Sequence, residues 1–211
     1  MAIRDTKTQF SIKAVLFDYG GVLAEEGFRN GLIAFAKEQG LDTENMPKEA
    51  TKAVYETGFV LGHGSAKDFW QRMRERTGLL GDDATLTARI LSGFVLRSWM
   101  IELVQELHKG GLITGILSDQ THWLDELNER DHFYRYFDPV FNSYYLGKGK
   151  QDASVFKDVA NELKLPVNEI LFIDDDAGNV NRAEEAGLQA IQYVDKETFI
   201  SQLKQRLVVL V

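Results

Sequence analysis

The chain has 211 residues, 44% hydrophobic and 27% charged, with 24 basic against 32 acidic side chains and a formal charge of −8. Such a composition builds a packed core rather than a disordered chain, its acidity disfavours nucleic acid and anionic membrane surfaces as partners, and the lack of cysteine removes disulfides, thiolate catalysis and Cys-ligated zinc. The polar start MAIRDTKTQFSIK has no apolar signal core, and no run approaches the roughly 20 apolar residues of a membrane span, so a cytoplasmic protein is expected, as monomer or homodimer.

The first apolar run, AVLF (14–17), is short and continuous, as in a strand buried on both faces of a parallel sheet. It ends in Asp18, followed by Tyr19, Gly20 and Gly21. Residues 24–97 then carry helical patterns and no convincing strand. One helix is predicted over 28–39, with apolar Leu32, Ile33, Phe35 and Ala36, and another over 69–76, opened by a capping-box-like Ser65-Ala66-Lys67-Asp68. Gly62, Gly64, Gly78 and Gly81 punctuate this stretch. A helix over 100–108 precedes ITGIL (113–117), which ends in Ser118-Asp119. PVFN (139–142) leads to a polar loop holding Lys150, and a helix over 154–163 leads to ILFI (170–173), which ends in Asp174-Asp175-Asp176. A helix near 180–186 precedes AIQY (190–193), and the terminal LVVLV reads as an edge strand or packing tail. Strand–helix alternation predicts an α/β fold, an open parallel sheet with right-handed crossovers. The expected division is an α/β core from 1–23 and 98–211, with 24–97 as a helical insertion.

Ligands of open α/β sheets gather at the carboxyl ends of the strands. There the order of the chain supplies Asp18, Ser118, Lys150 and the acids at 174–176. Carboxylates this close repel, and a divalent cation relieves them. An all-oxygen ligand set completed by water and phosphate suits Mg²⁺. Asp18 could then attack phosphorus to give an aspartyl-phosphate, with Lys150 and the Ser118 hydroxyl holding the phosphate oxygens. Each residue also has an ordinary reading. Asp18 could form a turn, Ser118 could cap a helix near 121–128, Lys150 could be a surface lysine, and the acids at 174–176 could cap the helix that follows. Their conjunction at strand ends argues against all four at once. GxxxxGK[ST], GxGxxG, GxSxG and HExxH are absent, which removes P-loop, dinucleotide, serine-hydrolase and zincin readings. His63, His108, His122 and His132 have no ligand spacing. Trp70, Trp99, Trp123, Phe28, Phe59 and Phe69 are expected in cores first and in a pocket second.

Four stretches resemble the motifs of the haloacid dehalogenase (HAD) superfamily: VLFDYGGVL, GILSD, LGKGKQDASVF and FIDDDAGNVNRAEEAGL. All occur in the family's order, over roughly 12–23 and 98–205. The resemblance implies a Rossmann-like three-layer α/β/α core, a cap inserted after the first strand, and a Mg²⁺-dependent hydrolase acting on a small phosphorylated substrate, with sugar phosphates among the options. It assigns Asp18 as nucleophile and metal ligand, the Gly20 carbonyl and Asp175 as further ligands, and Asp174 and Asn179 as supports. It assigns phosphate binding to Ser118, Lys150 and the backbone N–H of Asp119. The chain departs from the pattern in three places. Gly20 stands where most phosphatases of the family carry a second Asp that shuttles a proton, a role typically contributing roughly 10²–10⁴-fold. Glu25, Glu26, His63 and His122 are the candidate replacements. Asp119 stands for the usual Asn, and Gln151 for the usual Pro. Two alternatives follow: a non-catalytic binding or regulatory protein on the same scaffold, and a 2-haloacid dehalogenase, although dehalogenases of the family carry Tyr at the Gly20 position.

Overall fold

The computed structural model describes residues 11–207. Most of LVVLV, residues 208–211, lies outside the described residues. Five parallel strands form one sheet in the order β3-β2-β1-β4-β5: β1 Ala14–Phe17, β2 Ile113–Ser118, β3 Val140–Asn142, β4 Ile170–Asp174 and β5 Gln189–Gln192. Each of the five earlier apolar runs, AVLF, ITGIL, PVFN, ILFI and AIQY, falls on a strand. The last begins and ends one residue early, and Tyr193 leaves the ladder to pack on Trp99 and Phe199.

Alternation along β1 divides the core. Ala14 and Leu16 face a cluster with Val155, Phe156 and Val159 of α8 (Ser154–Leu163) and Val180 and Ala183 of α9 (Ala177–Glu185). Val15 and Phe17 face the opposite cluster, with Val104 and Leu107 of α5 (Ser98–Lys109) and Phe199 and Leu203 of α10 (Lys196–Leu207). Helices on both faces explain why the strands read as unbroken apolar runs. Each Val, Leu or Phe among them, fully buried, contributes roughly 1.5–3 kcal/mol.

The order places β1 at the centre, and the chain returns from β3 across the sheet to β4. β1 and β4 therefore form a switch point, where open α/β sheets bind ligands. In register, Phe17 lies opposite both Ile116 and Ile173. Asp18, Ser118, Asp174 and Asp175 must then emerge along one edge.

Between β1 and α5 the chain is helical, as expected: α1 Gly27–Gln39, α2 Asn45–Glu56, α3 Ala66–Thr77 and α4 Asp83–Ser92. The capping box at Ser65 and Asp68 is formed. α2 was hidden by a Pro at position 47, which sits harmlessly in its first turn, and by a buried face made partly of Ala50 and Ala53. This helical stretch packs on the sheet-bearing part through Phe59, Phe69 and Trp70 against Trp123, the first residue of α6 (Trp123–Asp131), and through Phe94 against Tyr19.

Candidate active site

Asp18 follows β1 directly and extends its ladder by one bond, its N–H donating to the Ile173 carbonyl at 2.8 Å. Its carboxylate is nearly enclosed. Oδ1 accepts from the Tyr19 N–H at 2.8 Å and the Ser118 hydroxyl at 2.5 Å, and lies 3.0 Å from Lys150 Nζ. Among the described residues Oδ2 takes part in none of these bonds. One oxygen is thus fixed in place and the other is left for a ligand.

Lys150 also pairs with Asp174, Nζ to Oδ2 at 2.6 Å. Both are buried, at 2% and 0% side-chain exposure. The rest of Asp174 is satisfied by the Asn179 side-chain amide at 3.0 Å and the Asp176 N–H at 2.8 Å. Asp176 alone caps α9, accepting from the Asn179 N–H at 2.8 Å. So one of the three consecutive acids has the helix-cap role, one holds the lysine, and Asp175 stands beside them at the cavity.

Burial disfavours the charged form of Asp18 and pushes its pKa well up. Lys150 pulls it back, while Asp174 and Asp175 push further in the same direction. Asp175 is pushed up to about 6 by burial first, then by Asp174 and Glu26. Burial also works against the Lys150 charge, but Asp174 and Asp18 outweigh it and hold the ammonium above its usual range. One ammonium thus faces three carboxylates. Oxygens of Asp18, Asp174 and Asp175 lie within 4.8 Å of one another. The donor set is all oxygen and its excess charge is negative, so the residues present fit a hard divalent cation.

These groups open into a cavity of about 290 Å³. Its lining also includes the apolar Phe28, Val54, Val60 and Trp123 and the polar Tyr55 and Arg182. Two features shape the turn that follows Asp18. Gly21 has φ +77°, and a Cβ there would lie 2.3 Å from Asp175 Oδ2. Arg97 clamps the same turn, donating to the Gly21 and Val22 carbonyls and pairing with Glu25.

The structure brings Asp18, Gly20, Asp119, Lys150, Asp174, Asp175 and Asn179 to one cavity, with Ser118 bonded to Asp18. The Asp119 side chain is engaged within the protein. Its two oxygens accept from the Lys150 N–H at 2.9 and 3.0 Å, and Oδ2 accepts from Tyr55 Oη of α2 at 2.5 Å. Ser118 does not cap α6, whose N-cap position is His122 and has no side-chain cap bond. Thr121 Oγ1 accepts from the Trp123 N–H at 3.1 Å in the turn that leads into the helix. Lys150 is buried rather than on the surface. Of the four candidate proton carriers, Glu26 lines the cavity, and Glu25 is engaged with Arg97 outside it. His63 is exposed, and His122 packs between Phe59 and Tyr144. Burial raises the Glu26 pKa, and the backbone N–H groups of Arg29 and Phe28 partly offset it. Sequence reading missed Tyr55 and Arg182. Arg182 donates to the Lys150 carbonyl at 2.8 Å and to Asn179 Oδ1 at 2.5 Å. Its i+3 spacing from Asn179 on α9 was the available signal.

The family profile of the haloacid dehalogenase-like hydrolases matches residues 12–187. Over 200 residues the chain is 25% identical to a sesquiterpene phosphatase of Aspergillus oryzae, covering 92% of this chain and 96% of that one. Its fold is similar to that of the HAD family enzyme BT-2542 of Bacteroides thetaiotaomicron in complex with magnesium and inorganic phosphate, with a TM-score of 0.70, 20% identity, and 90% and 99% of the two chains covered. It is also similar to an L-2-haloacid dehalogenase of Xanthobacter autotrophicus, with a TM-score of 0.64, 17% identity, and 92% and 83% covered. At these identities the two structures speak for the fold.

Proposed function

Because this chain belongs to the haloacid dehalogenase-like hydrolases, we propose that its site hydrolyses a small phosphate monoester, with Asp18 as nucleophile and Mg²⁺ as the bound ion. The observation that carries this reading is the acidic excess at the cavity floor: three carboxylates within 4.8 Å around a single buried ammonium. Dehalogenation needs no such cation. Asp18, the Gly20 carbonyl and Asp175 would hold the ion, which when bound supplies charge neutralisation at the phosphoryl oxygens.

The chain's own residues do the rest. Ser118 and Lys150 fix Asp18 Oδ1, so that the carboxylate presents its other oxygen to phosphorus without reorganising. Lys150 stands where negative charge builds on the phosphoryl group. The ester bond breaks as the Asp18–phosphorus bond forms, and water then hydrolyses the aspartyl-phosphate. Asp174 has no solvent access and serves to hold Lys150. Helices α1–α4, read as a cap, would set which alcohol is accepted. A cavity of about 290 Å³ is at the small end of ligand sites, and Phe28, Val54, Val60 and Trp123 offer its organic part an apolar wall. Support also comes from the Aspergillus relative, a sesquiterpene phosphatase.

The test is a panel of phosphorylated metabolites, sugar phosphates and short apolar alcohol phosphates included, with and without Mg²⁺. Phosphate release is expected with Mg²⁺ and is expected to stop on chelation. Turnover that persists in chelator would remove the ion from the reading.

A further inference from the structure

We propose that Glu26 is a catalytic residue, the proton-transfer acid that this chain lacks at position 20. The proposal rests on the phosphomonoesterase reading above. Gly20 has no side chain, but the space beside it is already taken. A Cβ built there would stand 3.1 Å from Glu26 Oε2 and 3.2 Å from Phe94 Cε1. A carboxylate therefore occupies the region that an acid on residue 20 would enter, and it arrives from a different backbone position, the N-terminus of α1.

Two features hold it there. Glu26 is the N-cap of α1, and its Oε1 accepts from the Arg29 N–H at 2.9 Å. Ser, Thr, Asp and Asn are the residues that usually fill this role. The longer Glu caps the helix with one oxygen and turns the other, Oε2, toward residue 20. The backbone beside it is also fixed, because Gly27 packs so closely on Phe94 that a Cβ would meet its backbone nitrogen at 2.6 Å. The Glu26 side chain lines the same cavity as Asp18, Lys150 and Asp175. The neighbouring Glu25 is spent on Arg97.

The chemistry balances in two steps. In the first, the Glu26 carboxylic acid gives its proton to the ester oxygen as the phosphorus–oxygen bond to the alcohol breaks and the bond to Asp18 forms. The products are the free alcohol, the aspartyl-phosphate and the Glu26 carboxylate. In the second, that carboxylate takes a proton from water as the water oxygen bonds to phosphorus. The bond to Asp18 breaks, inorganic phosphate leaves, and both side chains return to their starting forms.

Glu26→Gln is the discriminating variant, because its amide oxygen can still accept from the Arg29 N–H and keep the cap. Wild type and variant are compared at saturating Mg²⁺ on phenyl phosphate, whose leaving group needs a proton, and on p-nitrophenyl phosphate, whose leaving group departs as an anion. Mg²⁺ affinity and thermal melting are measured alongside, and the quenched protein is weighed for a bound phosphoryl group. Phenyl phosphate turnover is expected to fall by roughly 10²–10⁴-fold. On p-nitrophenyl phosphate the variant is expected to release one nitrophenolate per protein in a burst and then stall as phosphoenzyme. Equal losses on both esters without a burst would overturn the proposal, as would unchanged rates, or a defect cured by raising Mg²⁺. If wild type releases phosphate from neither of these esters nor from any ester of the panel above, or Asp18→Asn retains full activity, it is the phosphomonoesterase reading that fails instead.

Discussion

Asp18 pays for its position with an awkward charge, and that has a measurable consequence. Its folded pKa lies above the unfolded value of roughly 3.9. A group of that kind contributes stability that is fully present below the unfolded pKa and is lost as pH rises through the folded one. Asp175, pushed up to about 6, does the same between roughly pH 4 and pH 6. Metal-free protein should therefore lose stability across this window and beyond. Asp18→Asn, which cannot ionise, should raise the melting temperature of the metal-free protein at pH 7.5 by several degrees, at roughly 2–4 °C per kcal/mol, while abolishing turnover. Thermal melts of both proteins from pH 4 to pH 8 check this, and a variant less stable than wild type at every pH would contradict it. Gly21→Ala probes the neighbouring contact. Its Cβ would fall 2.3 Å from Asp175 Oδ2 at a φ that disfavours side chains, so Asp175 must move. Mg²⁺ affinity by calorimetry is expected to drop at least tenfold, with Asp18 and Lys150 untouched. At this scale the sequence was most informative where a residue ends a strand. Asp18, Ser118 and Asp175 were legible because strand position alone sets where they point. Tyr55 and the role of Asp119 were not, since each depends on a partner 31–64 positions away along the chain, and Arg182 offered only its i+3 spacing from Asn179 while its bond to the Lys150 carbonyl stayed hidden.

At the scale of elements, the Tyr55 hydroxyl joins the helical stretch to the loop that carries Lys150. Tyr55 of α2 donates to Asp119, and Asp119 in turn holds the Lys150 backbone N–H. The Asp that departs from the family's usual Asn is thereby explained: an Asn amide could not accept at both oxygens. Tyr55→Phe removes one such bond, worth roughly 1 kcal/mol. It should lower kcat/KM several-fold through a raised KM, with the melting temperature falling by only a few degrees. Steady-state kinetics with the best ester of the panel measure this, and a change confined to kcat would place Tyr55 in the chemistry instead. Strands were legible as elements because burial on both faces leaves nothing but apolar residues. α1 and α3 were legible from their apolar spacing and, for α3, its capping box. α2 and α4 were less so, because α2 buries Ala50 and Ala53 along with Met46 and Val54, a Pro in its first turn looks like a break when it is not, and α4 buries only Leu86 and Ile90.

At the scale of the whole molecule, the strand order converts a list of separated motifs into one site. Residues 18, 118, 150 and 174 span most of the chain, yet the central place of β1 brings them within hydrogen-bonding distance. A net charge of −8 does not prevent an anionic substrate from binding, since Lys150 and a bound cation would set the local field. Among the described residues no helix is long and apolar enough to cross a membrane. The central claim is that Asp18 attacks phosphorus, and trapping the phosphorylated protein tests it most directly. The protein is mixed with Mg²⁺ and the best ester of the panel, quenched in acid within the first turnover, digested, and its peptides weighed. A phosphoryl group is expected on the peptide containing Asp18, absent when Mg²⁺ is withheld and absent in Asp18→Asn. Phosphate released at full rate with no label at Asp18, or with the label on another residue, would contradict it.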